Sequence, residues 1–256
     1  MLSTIVLTRN EEKNIKACLE SVKFCDEVIV VDDYSDDSTM KLAKKLGAKV
    51  FKRKLNGDFA AQRNYGLDKA KGEWVLFIDA DERVPLILKD EILTEVQIQK
   101  HIGSESVPAH QGFYLKREDI LWEKKLRHGE SGQTKLLRLA RKGSGKWARK
   151  VHETWNVAGE VKTLKNFLLH YPHQTISEFL VDVNKYSTVH AQENYHKGKQ
   201  SNVLKILLWP KLKFSQNYVF KGGLLDGDPG FVAAMMMSFH SFLAWSKLYL
   251  VQRRKT

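Results

Sequence analysis

Asp79 and Asp81 follow an apolar run at residues 74–78, and their type and spacing suit metal chemistry. The run has the continuous Val, Leu, Phe and Ile content of a buried strand. Residues i and i+2 of an extended chain project to the same side, so the two carboxylates are predicted to face one hard divalent cation, which would carry a diphosphate. Asp-x-Asp is common, and the alternative interpretation is a polar strand end that runs into a turn.

The first hundred residues alternate strand and helix signals, which predicts an α/β fold. Strands are predicted at 3–7, 27–31, 48–52 and 73–78, and helices at 11–22, 36–46, 59–70 and 85–99. Alternation of this kind predicts a mostly parallel central sheet flanked by helices. Ligands of such sheets bind beyond the carboxyl ends of the strands.

Polar clusters occur where three of these strands end. Residues 8–11 (Thr-Arg-Asn-Glu) follow the first strand, residues 32–35 (Asp-Asp-Tyr-Ser) the second, and residues 79–81 the fourth. Because the carboxyl ends of parallel strands meet at one edge, the three clusters are predicted to form one site.

The pattern changes after about residue 110. Further strands are predicted at 112–117, 134–139 and 161–170, a long helix at 175–197, and a mixed apolar and basic tail from residue 203. We therefore expect one α/β domain over 1–172, made of two halves at 1–100 and 101–172. A helical extension is expected over 173–256.

The charge of the chain is uneven. The total is +12, but residues 1–100 hold 17 Lys and Arg against 18 Asp and Glu, whereas residues 101–256 hold 25 against 12. A basic surface on the second part suits an anionic membrane surface or a phosphorylated substrate. Zinc-finger, basic-zipper and RNA-recognition motifs are absent from the sequence, so no nucleic-acid partner is expected.

The tail predicts an amphipathic helix that is broken at Pro210 and followed by an apolar helix. Two interpretations stay open: contact with a membrane, or packing on the catalytic domain or in a dimer. Cys18 and Cys25 fit no disulfide or metal framework and indicate a reducing compartment. The expected location is the cytoplasm, with peripheral contact at the inner face of the cytoplasmic membrane as the alternative.

Neither G-x-G-x-x-G nor a Walker glycine-lysine loop follows the first strand, which argues against a dinucleotide dehydrogenase or a P-loop ATPase. Four segments instead resemble glycosyltransferase family 2, in the same order: residues 8–12, 30–39, 62–66 and 77–82. Residues 150–153 (Lys-Val-His-Glu) and 221–227 (Lys-Gly-Gly-Leu-Leu-Asp-Gly) resemble the lipopolysaccharide-core β-glucosyltransferase branch.

This resemblance implies a GT-A fold and inverting transfer of a hexose, with glucose expected, from a UDP-sugar. The domain over 1–172 is then the catalytic domain, with a nucleotide-sugar half at 1–100 and an acceptor half at 101–172. The implied acceptor is a lipopolysaccharide core, a glycolipid or another surface glycan, and the implied cofactor is Mn²⁺ or Mg²⁺. Residues implied to bind the nucleotide sugar are Thr8, Arg9, Glu11, Asp32, Asp33, Arg63, Asn64 and Asp79. Those implied to hold the metal are Asp81, Asp79 and, less directly, His170, for which a structural role is the alternative.

Inversion in one displacement needs a base for the acceptor hydroxyl, and Glu153 is the candidate. The alternative is that Glu153 forms a surface ion pair with Arg149 or Lys150. His152 is expected to orient Glu153 or to contact the acceptor, unless it is a packed structural histidine. Trp147 and Trp155 flank the loop and are expected to offer aromatic faces to sugar rings.

Two other functions are weighed against transfer. A sugar-phosphate nucleotidyltransferase would need a glycine-rich basic loop after the first strand, where this chain has Thr8-Arg9-Asn10-Glu11. A non-enzymatic lipid- or nucleic-acid-binding module would leave the three acidic clusters unexplained.

Overall fold

The computed structural model describes residues 1–101, 109–130, 134–150 and 153–253. The chain divides into two compact units, one made of residues 1–117 and 134–170, the other of 118–133 and 171–256. The domain boundaries at residues 100 and 172 stay a prediction.

The first unit contains the alternating strands and helices that the sequence predicts. In chain order they are β1 (Leu2–Thr8), α1 (Ile15–Ser21), β2 (Glu27–Asp32), α2 (Thr39–Lys45), β3 (Lys49–Lys52), α3 (Phe59–Lys69), β4 (Trp74–Asp79), β5 (Glu82–Arg83) and α4 (Leu86–His101). They are followed by β6 (Gly112–Leu121), β8 (Lys135–Arg141), β9 (Gly145–Ala148), β10 (Thr154–Val157) and β11 (Val161–His170). β6 continues past Arg117 into the second unit.

The sheet of the first unit has the strand order β3-β2-β1-β4-β8-β6-β11-β5. The four strands β3, β2, β1 and β4 are parallel, and β8 joins β4 in the antiparallel direction. β9 and β10 form a separate antiparallel hairpin. The predicted α/β architecture is confirmed, with parallel pairing among the first four strands of this order.

Side chains of the parallel strands alternate between two apolar cores. On β4, Trp74, Leu76 and Ile78 pack into one core with α1 and α4, whereas Val75 and Phe77 pack into the other with α3, β9 and β10. Successive residues of a strand point to opposite faces, so an uninterrupted apolar run is what a strand covered on both faces requires.

α3 lies unusually close to the sheet. Asp58 starts the helix by accepting a hydrogen bond from Ala61 N at 2.8 Å, which satisfies one free amide of the first turn. One turn after Arg63, Gly66 faces the sheet, and a Cβ there would meet Ile5 Cγ2 at 2.6 Å and Val31 Cγ2 at 3.2 Å. The missing side chain at residue 66 therefore sets the spacing between α3 and the strands.

The second unit is mainly helical. Its elements are β7 (Lys124–Leu126), which pairs with the end of β6, and then α5 (Ile176–His196), α6 (Val203–Ser215), a π-helical turn (Gln216–Phe220), a 3-10 turn (Gly223–Asp226) and α7 (Asp228–Arg253). α7 packs against both α5 and α6. Leu121, Leu126, Phe179, Val183 and Met236 form the buried core.

α6 does not end at Pro210, contrary to the sequence prediction. The helix runs from Val203 to Ser215 with Pro210 inside it. The proline lacks the amide that would bond to Ile206, but its carbonyl accepts a hydrogen bond from Ser238 Oγ at 2.8 Å, so α7 supports the helix there. Among the described helices, none has the length and apolar content needed to cross a membrane.

Candidate active site

The register of the parallel strands brings the three predicted clusters to one edge. Thr8 pairs with Asp32 across β1 and β2, and Leu7 pairs with Asp79 across β1 and β4. The last residues of β1, β2 and β4 therefore lie side by side at the carboxyl edge of the sheet, as predicted.

Arg63 of α3 joins two of the predicted residues. Its side chain is buried, with Nε donating to Glu153 Oε1 at 2.9 Å and Nη2 donating to Asp79 Oδ1 at 3.0 Å. The guanidinium lies over the Trp147 ring, 4.7 Å from the centroid. Glu153 thus pairs with Arg63 inside the site, not with Arg149 or Lys150 as the alternative interpretation had it.

A second buried arginine, Arg138 of β8, completes the group and was missed by the sequence prediction. Its Nη2 donates to Asp79 Oδ2 at 2.6 Å and lies 3.3 Å from Glu82 Oε1. Burial on its own lowers the pKa of Arg138, but the negative charges of Asp79 and Glu82 raise the pKa by more than burial lowers it. The side chain therefore stays cationic. The available signal was an arginine inside the apolar run Leu136-Leu137-Arg138-Leu139-Ala140.

Glu82 is the other residue that the prediction missed. It is fully buried on β5, and its Oε2 accepts a hydrogen bond from Asp79 N at 2.8 Å. Burial raises the pKa of Glu82, Arg138 lowers it, and the negative charge of Asp79 raises it again, with a net upward shift. Glu82 therefore holds the β4–β5 turn in place and takes up a proton more readily than an exposed glutamate.

The carboxylate of Asp79 is held as an anion. Burial would raise its pKa, but the charges of Arg138 and Arg63 and their hydrogen bonds hold the pKa well below its usual range. The network of Arg63, Arg138, Asp79, Glu82 and Glu153, when fully ionised, has two cationic and three anionic groups. Because the pKa of Glu82 is raised, protonation of Glu82 would balance these charges at two positive and two negative.

Asp81 and Asp79 have different partners in the structure, and the strand geometry on which the two-carboxylate prediction rested does not extend to Asp81. β4 ends at Asp79 and Asp81 lies in the turn before β5, so the alternation rule for strands does not apply. Both oxygens of Asp79 are engaged by guanidinium groups, whereas Asp81 Oδ2 lies 3.2 Å from His170 Nε2. Within the described part of the chain, no three His, Cys, Asp or Glu side chains form a metal-binding group.

The chemistry of Asp81 and His170 fits a divalent cation that takes most of its ligands from elsewhere. A carboxylate and an imidazole are both donors that Mn²⁺ accepts, and Mg²⁺ keeps several water or phosphate ligands when proteins bind it. Glu11 lies in the field of the same aspartate: burial raises its pKa, its hydrogen bond from Asn14 lowers it, and Asp81 raises it again. A cation beside Asp81 would relieve this repulsion.

The cluster after β2 divides into an inner and an outer aspartate. Asp32 is fully buried, and its two oxygens accept hydrogen bonds from the backbone amide and the hydroxyl of Ser35. Asp33 accepts from Leu55 N at 2.9 Å and pairs with the exposed Arg9 at 3.0 Å. The structure thus gives Asp32 a role in shaping the turn, and leaves Asp33 and Arg9 nearer to solvent.

Thr8 has a buried polar atom without a partner among the described residues at this edge, as do Arg63 (Nη1) and Arg138 (Nε). The hydroxyl of Thr8 is buried and makes no hydrogen bond to any residue within the described ranges. An unsatisfied buried hydroxyl is costly, and a ligand or a water molecule beside it would remove that cost.

Asn64 contacts the backbone of the hairpin formed by β9 and β10. Its Nδ2 donates to Trp147 O and its Oδ1 accepts from Trp147 N, both at 2.9 Å. The side chain amide thus mimics a strand neighbour for residue 147. This arrangement fixes the hairpin relative to α3, and it uses the donors and acceptors that we expected to meet a nucleotide.

Trp147 and Trp155 are not exposed platforms, which corrects their predicted role toward sugar rings. Both indoles are buried, stack on each other with centroids 5.3 Å apart, and contact the Phe77 ring edge-to-face. They form the apolar floor under Arg63. His152, expected on the acceptor side, lies outside the described residues.

Known families and relatives resemble this chain over different lengths. Residues 3–98 match the family model described as Glycosyl transferase family 2. The lipopolysaccharide core biosynthesis glycosyltransferase LpsC of Rhizobium meliloti (strain 1021) is 29% identical over 97% of this chain and 92% of LpsC.

Solved structures resemble the chain more distantly. Residues 1–349 of S. aureus TarS in complex with UDP-GlcNAc cover 100% of this chain and 92% of their own, with 17% identity and a TM-score of 0.46. Glucosyl-3-phosphoglycerate synthase from Mycobacterium tuberculosis, solved with Mn²⁺, UDP and glucosyl-3-phosphoglycerate, covers 47% of this chain and 44% of its own, with 22% identity and a TM-score of 0.36.

Proposed function

Because residues 3–98 place this chain in glycosyltransferase family 2, we propose that it transfers a hexose, with glucose expected, from a UDP-sugar to a lipopolysaccharide core or related glycolipid. The family resemblance read from the motifs is confirmed, and the chain is a glycosyltransferase with a GT-A fold. The nucleotidyltransferase and the non-enzymatic module are thereby set aside. The name of LpsC supports the choice of acceptor.

The chemical proposal rests on one observation. Arg63 donates a hydrogen bond from Nε to Glu153 and another from Nη2 to Asp79. This bridge connects the candidate base with the strand end where family 2 motifs bind the donor. The second oxygen of Glu153 has no hydrogen-bond partner among the residues described, so it is available to an acceptor hydroxyl.

The reaction is a single displacement with inversion. The acceptor oxygen forms a bond to the anomeric carbon while the bond from that carbon to the diphosphate oxygen breaks and leaves its electron pair on UDP. The acceptor proton moves to the free carboxylate oxygen of Glu153. Arg63 holds this carboxylate from the other side, so the base approaches in a fixed orientation.

The residues at the donor end have separate tasks in this proposal. Asp33, Arg9 and the hydroxyl of Thr8 bind the nucleoside. Glu11, in the connection between β1 and α1, contacts it as well. Asp81, with His170 beside it, would hold Mn²⁺ or Mg²⁺, which offsets the charge that develops on the leaving diphosphate. The cation would also offset the repulsion between the Asp81 carboxylate and the diphosphate.

Calorimetric titration with UDP, with and without Mn²⁺, tests the donor class. We expect binding that depends on the metal and that falls at least about tenfold in Asp81→Asn, because one of two protein ligands weakens. Asp68→Asn, an exposed change on α3, is the matched control and should bind as the wild type does.

A panel of UDP-hexoses then identifies the donor through slow hydrolysis and transfer to lipopolysaccharide acceptors. If UDP binds equally well without metal, or if Asp81→Asn binds it as the wild type does, the metal assignment is wrong. If no UDP-sugar is turned over while UDP still binds, the donor sugar or the acceptor class is wrong and the nucleotide site stands.

A further inference from the structure

α6 is a helix without any buried residue, although it is rich in leucine. Seven apolar side chains on its outer side and on the π-helical turn are between 44% and 83% exposed: Val203, Leu204, Leu207, Leu208, Leu212, Val219 and Phe220. We call this set the α6 stripe. Contiguous apolar surface of this extent is uncommon on a soluble monomer unless it binds something.

The stripe lies on the side of α6 that faces away from α7. Its members recur about every four residues, which places them on one side of a helix. Two other side chains of α6 contact α7: the ring centroids of Trp209 and Trp245 are 6.0 Å apart, and those of Phe214 and Phe231 are 5.8 Å apart. α6 therefore rests on α7 as a support and turns its apolar side to solvent.

The segment that carries the stripe is basic, although one of its lysines, Lys213, is paired with Glu130. From residue 194 to residue 225 the chain contains six lysines and no aspartate or glutamate. Lys211 is exposed within the stripe and Lys221 follows Phe220 directly. By contrast, the exposed surface of α5 mixes both signs, with Glu178, Asp182 and Lys185 close together.

This combination selects among the surfaces that could cover the stripe. In a symmetric dimer the same patch meets itself, so lysine would face lysine. An anionic lipid surface offers phosphate to the lysines and acyl chains to the leucines at the same time. Lysine stems also reach along apolar surface to place the ammonium group at the headgroups.

We propose that the α6 stripe docks on an anionic membrane, with α6 lying in the plane of the interface. The inference concerns the second unit only and does not depend on the donor or on the reaction. It gives the predicted membrane contact a definite surface: the apolar side of α6 and the π-helical turn, with Lys211 and Lys221 at the headgroups. A lipid-linked acceptor would be met at the same membrane.

Flotation of the full chain with phosphatidylcholine vesicles, with or without phosphatidylglycerol, tests this proposal. We expect binding only when phosphatidylglycerol is present, and at least about tenfold weaker binding for Leu204→Ser with Leu208→Ser, because buried leucine is lost. Lys211→Gln with Lys221→Gln should weaken binding about fivefold per lysine.

The control is Val181→Ser with Val189→Ser, which removes exposed apolar side chains from α5 and should float like the wild type. No flotation of the wild type, or equal flotation of the leucine variant, overturns the proposal. If sedimentation instead shows a dimer that the leucine variant dissociates, while vesicles are not bound, the occupant is a second copy of the chain.

Discussion

In the first unit Arg63, Arg138 and Glu82 are buried around the partly exposed Asp79, whereas in the second unit seven apolar side chains of α6 and the π-helical turn are exposed to water. Each arrangement is costly for a chain on its own, one through desolvation of charge and the other through exposure of apolar surface. Both costs are local, and each lies next to an otherwise ordinary core.

The two costs indicate different kinds of ligand. Buried, mutually paired charges form a rigid and polar site, which suits a small charged molecule that must be oriented to react. An exposed apolar helix side with lysines has no fixed partner geometry, which suits a fluid surface. The following experiments are designed to break this contrast or to make it quantitative.

The largest effect is expected for Glu153→Gln. Glutamine still accepts a hydrogen bond from Arg63 but cannot take the acceptor proton, so transfer should fall about 10²- to 10⁴-fold. Calorimetry should show UDP binding unchanged, and Glu160→Gln, an exposed change nearby, should keep full activity. Full transfer by Glu153→Gln would remove Glu153 from the chemistry.

Arg138→Met compares the two regions directly. The change leaves Asp79 and Glu82 without one cation in a buried place, and it should lower the free energy of unfolding by about 3–5 kcal/mol. Leu207→Ser, within the exposed stripe, should change it by less than about 0.5 kcal/mol. Urea unfolding measures both, and similar values for the two variants would refute the contrast.

Asn64→Ala tests whether residue 64 positions the hairpin or binds the nucleotide. Loss of two hydrogen bonds to the Trp147 backbone should cost about 1–3 kcal/mol of stability. Transfer should fall because Glu153 precedes β10 directly, while UDP affinity stays within about twofold. A large loss of UDP affinity with unchanged stability would return Asn64 to the nucleotide site; Asn156→Ala is the exposed control.

The smallest effect is a difference in acid sensitivity between the units. His190 and His240 stack 5.6 Å apart, and burial lowers the pKa of both from 6.5. As the pH falls, the two histidines take up protons in the unfolded chain before they do so in the folded one. The stability that comes from keeping them neutral is therefore complete above pH 6.5 and is lost as the pH falls through their pKa values in the folded protein. The pKa of Asp79 is lowered from 3.8, so the stability that its ionised form contributes is lost only when the pH falls below 3.8.

Amide hydrogen exchange, corrected for its intrinsic pH dependence, should therefore show α5 and α7 losing protection between pH 7 and 5 before β4 does. His240→Phe should reduce that loss, since one titrating imidazole is removed. Earlier loss of protection in β4 would show that the buried charge network is the weaker part under acid.

The sequence was sufficient for the strands and helices of the first hundred residues, because continuous apolar runs and regular helical spacing are local signals. It was not sufficient for the network around Asp79. Arg138 is 59 residues from Asp79 along the chain, and nothing local states which carboxylate a buried arginine will meet. The turn at Asp81 was missed for a related reason: strand alternation was extended two residues beyond the end of β4.

Two predictions, one about exposure and one about a helix end, were wrong. Trp147 and Trp155 lie among basic residues, which suggested an exposed binding loop, yet the hairpin folds them under Arg63. α6 was expected to break at Pro210, yet α7 supports it there. In each case a contact from a distant element decided the outcome.

The absence of a side chain at Gly66 has a consequence for the position of Arg63. It lets α3 settle against Ile5 and Val31, and Arg63 sits one turn earlier on the same helix side. The methyl group of an alanine at residue 66 would push α3 away from the sheet, and the Arg63 guanidinium would move away from both Asp79 and Glu153. The buried residue Gly66 thus controls the relative positions of the candidate base and the donor site without lining either of them.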